Sequence, residues 1–213
     1  MGRLNRGPNG PFSGKAGSVI GSSWRNIFYI KGLQKKSNKA RSPLQIEQQD
    51  RFGIAVKFLM PVKNVLNMGF SNVNPGGATG YNMAISHLLQ NSIKGNYPDF
   101  EIDYPAVVFA RGKLALPEKV RMELNGLNLK LNWSIDKDNE RSYLDDTVEI
   151  LIYSPMLKDY QISTAGITRK QEGTELELDP WYKGDTVHVY MYLIDRHRKK
   201  WSDSLYVGAV KVE

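Results

Sequence analysis

The spacing of apolar residues divides the chain into three regions. Between residues 42 and 99, the apolar side chains from Phe52 to Leu66 recur every three or four positions, which predicts helices. From about residue 100 the period becomes two, as in Leu127 to Ile135, where Asn, Lys and Ser separate the apolar residues. About seven such short runs follow one another, which is typical of an antiparallel β-sandwich. We therefore predict an α+β protein with a helical region at 42–99 and a sandwich domain at 100–213.

The first 41 residues form a Gly-rich N-terminal arm. Within it, Ser18–Gly32 holds β-branched and aromatic residues bounded by glycines, which predicts one or two short strands. The arm is also rich in Ser and Asn, so it cannot bury enough apolar surface to fold alone. We expect residues 1–41 to be an extended arm that serves assembly.

Local signals place the helices. Ser42 is a good N-cap, Pro43 suits the first helical position, and Gln45 completes a capping box. Pro61 is expected to kink this helix or to split it. A loop follows, and residues 81–93 are predicted to form a further helix.

Positive charge is concentrated in the arm. Nine Lys and Arg residues precede Glu47, which is the first acidic residue of the chain. The formal net charge of the whole chain is +7, so the remainder is close to neutral. Such an arm suits contact with nucleic acid, with another anionic surface, or with acidic patches on identical neighbours.

The amino-acid composition excludes several kinds of site and segment. The chain has no cysteine, which excludes disulfides, thiolate metal sites and thiol nucleophiles. No apolar run has the length of a membrane span. The N-terminus lacks the apolar core of a secretory signal, so we expect cytoplasmic synthesis without a signal peptide, and the final location of an assembly stays open.

The candidate catalytic and metal sites in this sequence lack the residues or the spacing of known motifs. The three histidines lack the spacing of a zinc site, and no Gly-x-Ser-x-Gly elbow is present. The loop Pro75–Gly80 lacks the lysine of a phosphate-binding loop, so we interpret it as a connector. Four aspartates near the sandwich loops are interpreted as solvated turn carboxylates rather than calcium ligands. We expect a protein that is not an enzyme and that holds neither cofactor nor metal. The histidines and aspartates considered as metal ligands are His87, His188, His197, Asp136, Asp138, Asp145 and Asp146.

The C-terminal half resembles a fibronectin type III-like domain. The strand that ends at Trp133 is similar to the second strand of that fold, whose Trp packs between the sheets. Leu176–Asp195 resembles its fifth and sixth strands, and a hairpin and a final strand carrying Ser202 follow. The resemblance covers Tyr104 to Glu213 and implies a sandwich with Trp133 in its core, but no particular function.

The N-terminal half resembles an uncharacterised family of short bacterial proteins of unknown function. The resemblance implies no mechanism, because no activity is established for that family. It does imply that arm, helices and sandwich belong to one unit. The residues that carry it are Gly14, Lys15, Gly17, Gly21, Trp24, Gln45, Gln49, Arg51 and Phe52.

Two interpretations of the arm compete, and a solvated tail is a third. In the first, the arm docks on a neighbouring identical subunit, because its apolar residues need a dry partner. In the second, its cations bind phosphates and its aromatic rings stack on bases. The candidate interface residues are Val19, Ile20, Trp24, Ile27, Phe28 and Ile30, and the candidate contacts to nucleic acid or an acidic surface are Lys15, Arg25, Lys31, Lys35, Lys36, Lys39 and Arg41.

These features together favour the hypothesis of a structural subunit. Contact between an arm and a different patch of its neighbour is heterologous, so it closes into rings or propagates into helical filaments, tubes or virion-like assemblies. A nucleic-acid-binding protein is the alternative. A carbohydrate-binding sandwich module is a further alternative, which rests on Trp181, Tyr182 and Trp201.

Overall fold

The computed structural model describes residues 3–4, 7, 10–24, 27–35, 39–73, 77–135, 143–163 and 166–213. The chain divides into two compact units, Met1–Ser42 and Pro43–Glu213. The predicted α+β class with short strands in the arm and a β-sandwich is confirmed. None of the described helices is both long and apolar enough to cross a membrane.

The first unit is a four-stranded antiparallel sheet. Its strands are β1 (Arg3–Leu4), β2 (Phe12–Ala16), β3 (Val19–Trp24) and β4 (Ile27–Gly32), and they lie in chain order across the sheet. The prediction was one or two strands in an otherwise extended arm. Strands β1 and β2 were not predicted, because the residues around them are mainly Gly, Ser, Asn and Pro.

Two glycines of the arm explain how the sheet forms. Gly17 begins the two-residue turn between β2 and β3 with a φ of 59°, a conformation that favours glycine. Gly21 in β3 lies against Phe12, and a β-carbon there would come within 2.7 Å of the Phe12 ring and closer still to the Phe12 carbonyl oxygen. Both glycines therefore have structural roles, one at a turn and one against Phe12.

Three helices open the second unit: α1 (Pro43–Leu59), α2 (Lys63–Gly69) and α3 (Gly80–Asn91). The start at Pro43 and the break near Pro61 agree with the prediction. The side chain of Thr79 caps α3 by accepting the N–H of Asn82 at 3.2 Å. The strands begin earlier than the predicted residue 100, because Ile93 opens a hairpin formed by β5 (Ile93–Asn96) and β6 (Asp99–Ile102).

The sandwich begins at Glu118. Its strands are β7 (Glu118–Asn125), β8 (Asn128–Ser134), β9 (Thr147–Ser154), β10 (Asp159–Ile162), β11 (Gly173–Glu177), β12 (Thr186–Ile194) and β13 (Leu205–Lys211), and single-turn 3-10 helices lie at Tyr104–Ala106, Arg169–Gln171 and Pro180–Tyr182. One antiparallel sheet has the order β11-β8-β7 and the other has the order β10-β9-β12-β13. Ser202 lies before the last strand, not within it as the sequence suggested, and its buried hydroxyl accepts the Leu193 N–H at 2.8 Å.

Two hydrophobic cores lie on opposite faces of the four-stranded sandwich sheet β10-β9-β12-β13. Between the sheets, Trp133 packs among Leu, Ile and Val side chains, as predicted, and its indole N–H donates to the Arg169 carbonyl at 3.0 Å. The other face of the sheet carries Tyr153 and Tyr190, which pack beneath the helices. The ring of Phe58 in α1 meets that of Tyr153 at 4.8 Å in an edge-to-face contact. Helices and sandwich therefore share one core.

Candidate assembly interface

Strand β4 is one of the two edge strands of the arm sheet, and β1 is the other. All six of its residues are exposed, and the exposed fractions reach 61% for Ile27, 50% for Phe28 and 65% for Ile30. The outer side of an edge strand presents backbone N–H and C=O groups that pair readily with another strand. Native edges are usually protected by charges, proline or a bulge. Ile27–Ile30 has none of these, since Lys31 is the only charged residue of the strand.

The neighbouring strand explains why β4 stays uncovered. Gly21, Ser22 and Ser23 of β3 lie opposite Ile30, Tyr29 and Phe28. Side chains this small cannot cover the large apolar groups beside them. The exposure of Phe28, Tyr29 and Ile30 thus follows from the β3 sequence, whereas Ile27 lies opposite Trp24 and is exposed all the same.

The two faces of the arm sheet differ in chemistry. Because side chains alternate along a strand, Ile27, Tyr29 and Lys31 share one face, while Phe28 and Ile30 share the other. Lys15, Ile20 and Lys31 form one row across three strands, so the first face combines lysines with apolar groups. The second face of β4 is apolar.

Some of the predicted interface residues are exposed in the structure and others are half-buried. Trp24, Ile27, Phe28 and Ile30 are exposed, whereas Val19 and Ile20 in the inner strand β3 are half-buried. Two exposed apolar residues, Tyr29 and Leu33, were absent from the predicted interface, although they continue the same stretch. Among the predicted cations Lys15, Lys31, Lys35, Lys39 and Arg41 are exposed, and Arg25 and Lys36 lie outside the described residues.

The three histidines occupy different surroundings. His188 stacks on Tyr104 with ring centroids 3.8 Å apart and shares a hydrogen bond with the Tyr206 hydroxyl at 2.9 Å. It lies on the face of its sheet that is turned away from the core around Trp133, and burial lowers its pKa, opposed by the charge of Asp185. Burial, helped by Arg111, also lowers the pKa of His87 in α3. His197 lies in an exposed turn.

The structure describes two of the four aspartates near the sandwich loops, and for Asp146 the prediction of a solvated turn carboxylate is wrong. Asp146 is buried and accepts from the guanidinium of the fully buried Arg169 at 3.1 Å, while Asp145 pairs with Arg196 on the surface at 3.3 Å. Burial raises the pKa of the Asp146 carboxyl, and the N–H of Tyr143 and the charge of Arg169 act against that shift. Asp136 and Asp138 lie outside the described residues. Within the described ranges no group of three or more His, Cys, Asp or Glu could hold a metal ion.

The Gly-rich loop and the candidate sugar-binding aromatics have other roles. Thr79 of the loop caps α3, and Pro75 and Gly76 lie outside the described residues. Of the three aromatic residues considered for carbohydrate binding, Tyr182 and Trp201 are buried in the two cores. Only Trp181 of the three, which is 77% exposed, would be available to a sugar ring. The carbohydrate alternative stays a prediction, with Trp181 as its exposed aromatic residue.

A basic cavity in the second unit was not predicted from the sequence. It has a volume of about 630 Å³, and Arg111, Lys113 and Lys200 line it together with Trp201 and Asp203. The cations come from segments almost ninety residues apart, so no local pattern signals their proximity. Asp203 accepts the Gly112 N–H at 3.1 Å. The cavity concentrates positive charge on a body that is close to neutral overall.

Comparison with known families accounts for almost the whole chain. The model of a family of unknown function, DUF6266, matches residues 11–208. The chain belongs to that family. The match begins just before β2 and ends within β13, so the family includes strands β2 to β4 of the arm sheet as well as the helices and the sandwich. No curated protein matches the chain. The predicted resemblance to a family of unknown function is confirmed, whereas the bacterial origin and the finer likeness to fibronectin type III domains stay predictions.

Proposed function

We propose that this protein is a structural subunit that self-assembles through its N-terminal arm. The observation that carries the proposal is the open apolar edge of β4, where Ile27 and Ile30 are more than half exposed. Pairing with a strand of another copy would satisfy the backbone groups of that edge and cover these side chains. Donor and acceptor surfaces would differ, so the contact would propagate into a filament, tube or virion-like assembly, or close into a ring.

The distribution of apolar groups over both faces favours docking on protein. A nucleic acid would engage the face that combines Tyr29 with Lys15 and Lys31, because phosphates pair with lysines and bases stack on aromatic rings. It would leave Phe28 and Ile30 on the opposite face in water. A protein strand added at the edge continues the sheet, so both faces of β4 acquire neighbours.

Nucleic-acid binding is the second candidate function. Nine cations without a carboxylate precede Glu47, and Trp24 and Tyr29 are exposed beside them. The basic cavity around Arg111 adds a further cluster of positive charge on the second unit. An assembly that encloses nucleic acid would combine the two functions.

Electron microscopy of the purified, nuclease-treated protein tests the proposal. Filaments, tubes or rings are expected for the full chain, and dispersed single particles would refute self-assembly. A chain lacking residues 1–36 should remain folded but dispersed, because the two hydrophobic cores are built by residues of Pro43–Glu213. A retained thermal unfolding transition is the control for folding. Assemblies formed by the truncated chain would show that the arm is not the donor.

A further inference from the structure

We propose that the outer edge of strand β11 in the sandwich is the surface that accepts β4 of a second copy. This inference rests on the proposed function, since it names the second half of the same contact. In its sheet β11 has β8 on one side, and no further strand of the described residues pairs with it on the other. It therefore offers an open edge to an incoming strand.

The charge of this edge complements that of the arm. Glu172, Glu175, Glu177 and Asp179 are exposed, and the sequence from Gln171 to Tyr182 contains no cation. None of the four carboxylates takes part in an ion pair among the described residues. Lys130 lies opposite Glu175 in the ladder, which still leaves the strand with a clear excess of negative charge. Complementary charges select a partner and fix its register.

The β11 edge also matches β4 in length and has an exposed apolar residue beside it. Gln161 donates to the Glu177 carbonyl at 2.7 Å and accepts the Asp179 N–H at 3.1 Å, so the far end of the edge is already satisfied. The open part is Gly173–Leu176, four residues long, and the apolar part of β4 is Ile27–Ile30, also four residues long. The turn after β11 carries Trp181, the most exposed large apolar residue of the described chain. An apolar and basic strand would thus find an acidic edge with an apolar group beside it.

The other open edges are less suitable. Two β4 strands facing each other would bring together two arm sheets that carry cations and no carboxylate. Strand β6 carries two carboxylates, Asp99 and Glu101, against the four at the β11 edge, and Lys94 lies opposite Glu101 as Lys130 lies opposite Glu175. Cations also belong to the remaining edges or directly adjoin them: Arg3 in β1, Lys94 in β5, Lys119 and Arg121 in β7, Lys158 before β10 and Lys211 in β13.

Disulfide cross-linking between two single-cysteine variants tests this contact directly, because the natural chain has no cysteine. One variant is Tyr29→Cys, near the middle of β4 and on the face of Lys31. The other is Glu175→Cys, in the middle of β11 on the solvent face. Two matched controls are Phe28→Cys, on the opposite face of β4, and Glu123→Cys in β7, on the far side of the same sheet. Neighbouring strands place paired residues within the distance range of a disulfide.

The two full-length variants are mixed, assembled and oxidised, and the mixed disulfide is quantified. We expect it to form about tenfold more than either control combination, because strand pairing holds the thiols at high effective concentration. Cross-linking of Tyr29→Cys mainly to itself would overturn the inference in favour of β4 pairing with β4. Normal assemblies without the mixed disulfide would also overturn it, and would leave the proposed function intact. Failure of the wild-type chain to assemble would refute the proposed function itself.

Charge reversal provides an independent measurement. Glu175→Lys combined with Glu177→Lys places like charges against the arm, so the critical concentration for assembly should rise about tenfold at low salt and less at high salt. Glu118→Lys combined with Glu123→Lys in β7 is the matched control, because it also reverses two exposed carboxylates on the same sheet. An equal effect of this control variant would show that the general charge of the sandwich, and not the β11 edge, controls assembly.

Discussion

The two isoleucines of β4 allow the most quantitative test of assembly. Replacing Ile27 and Ile30 together by Ala removes three carbons from each side chain at the open edge. A fully buried CH2 group contributes about 0.8 kcal/mol, so each replacement would cost about 2.4 kcal/mol if docking buried the whole side chain. The side chains are 61% and 65% exposed before docking, and this fraction is the part that docking can bury. The loss is then about 1.5 kcal/mol for each residue and about 3 kcal/mol for the pair.

A loss of about 3 kcal/mol corresponds to a rise of about 100-fold in the critical concentration for assembly. Sedimentation of nuclease-treated protein over a concentration series measures this value. Wild-type assemblies should persist to roughly 0.5 M salt, where charge interactions reach only a few ångströms and apolar burial still acts. The Lys35→Ala, Lys36→Ala double variant should change the value far less, because exposed charges contribute about 0–1 kcal/mol.

The control is Leu44→Ala, which removes an exposed apolar side chain from helix α1 of the second unit. If assembly depended on general surface hydrophobicity, this variant would weaken it as well. An unchanged critical concentration for the Ile27→Ala, Ile30→Ala variant would refute the role of the β4 edge. A larger effect of the lysine pair, or loss of assemblies on nuclease treatment, would identify the arm as a nucleic-acid binder.

Three further predictions concern the second unit. Trp133→Ala should lower the free energy of unfolding by about 3–5 kcal/mol, whereas Trp181→Ala, at an exposed site, should leave the melting temperature seen by circular dichroism nearly unchanged. Arg169→Met should cost about 3–5 kcal/mol in a urea titration, because it leaves the buried Asp146 carboxylate without its partner, and the Arg169→Met, Asp146→Leu double variant should recover part of that loss. Burial lowers the pKa of His188, so below the usual value of 6.5 the unfolded state binds more protons than the folded state. The free energy of unfolding should therefore fall as the pH drops below 6.5. His188→Gln should weaken this pH dependence, which urea unfolding midpoints at successive pH values measure.

Local patterns predicted the sandwich well where one sheet face meets solvent. In β8 the alternation of Leu129, Leu131 and Trp133 with polar residues matches their burial between the sheets. In β9 and β12 residues on both faces are buried, and the prediction assigned only one of these faces to a core. Tyr153 and Tyr190 belong to the second core, beneath the helices. Continuous apolar runs in these strands were the available signal, since strands covered on both faces lose their polar positions.

The candidate interface was predictable in composition but not in geometry. The apolar stretch Ile27–Ile30 and its flanking cations can be recognised in the sequence, as can the acidic stretch around Glu175. Whether each strand has one neighbour or two cannot be recognised there. Gly21 has no side chain at the point where Phe12 needs room, and this too becomes visible only when the strands are paired.

The sequence by itself determined the periods of its helices and strands, the absence of thiol chemistry, the basic character of the arm and its family. These properties are local or compositional, so neighbouring residues suffice to reveal them. Only the tertiary structure decided that β4 and β11 are edge strands, that small β3 residues lie opposite Phe28 to Ile30, and that helices cover one face of the sandwich. Strand order depends on hydrogen bonds between residues far apart in the chain, and exposure depends on what those bonds bring alongside.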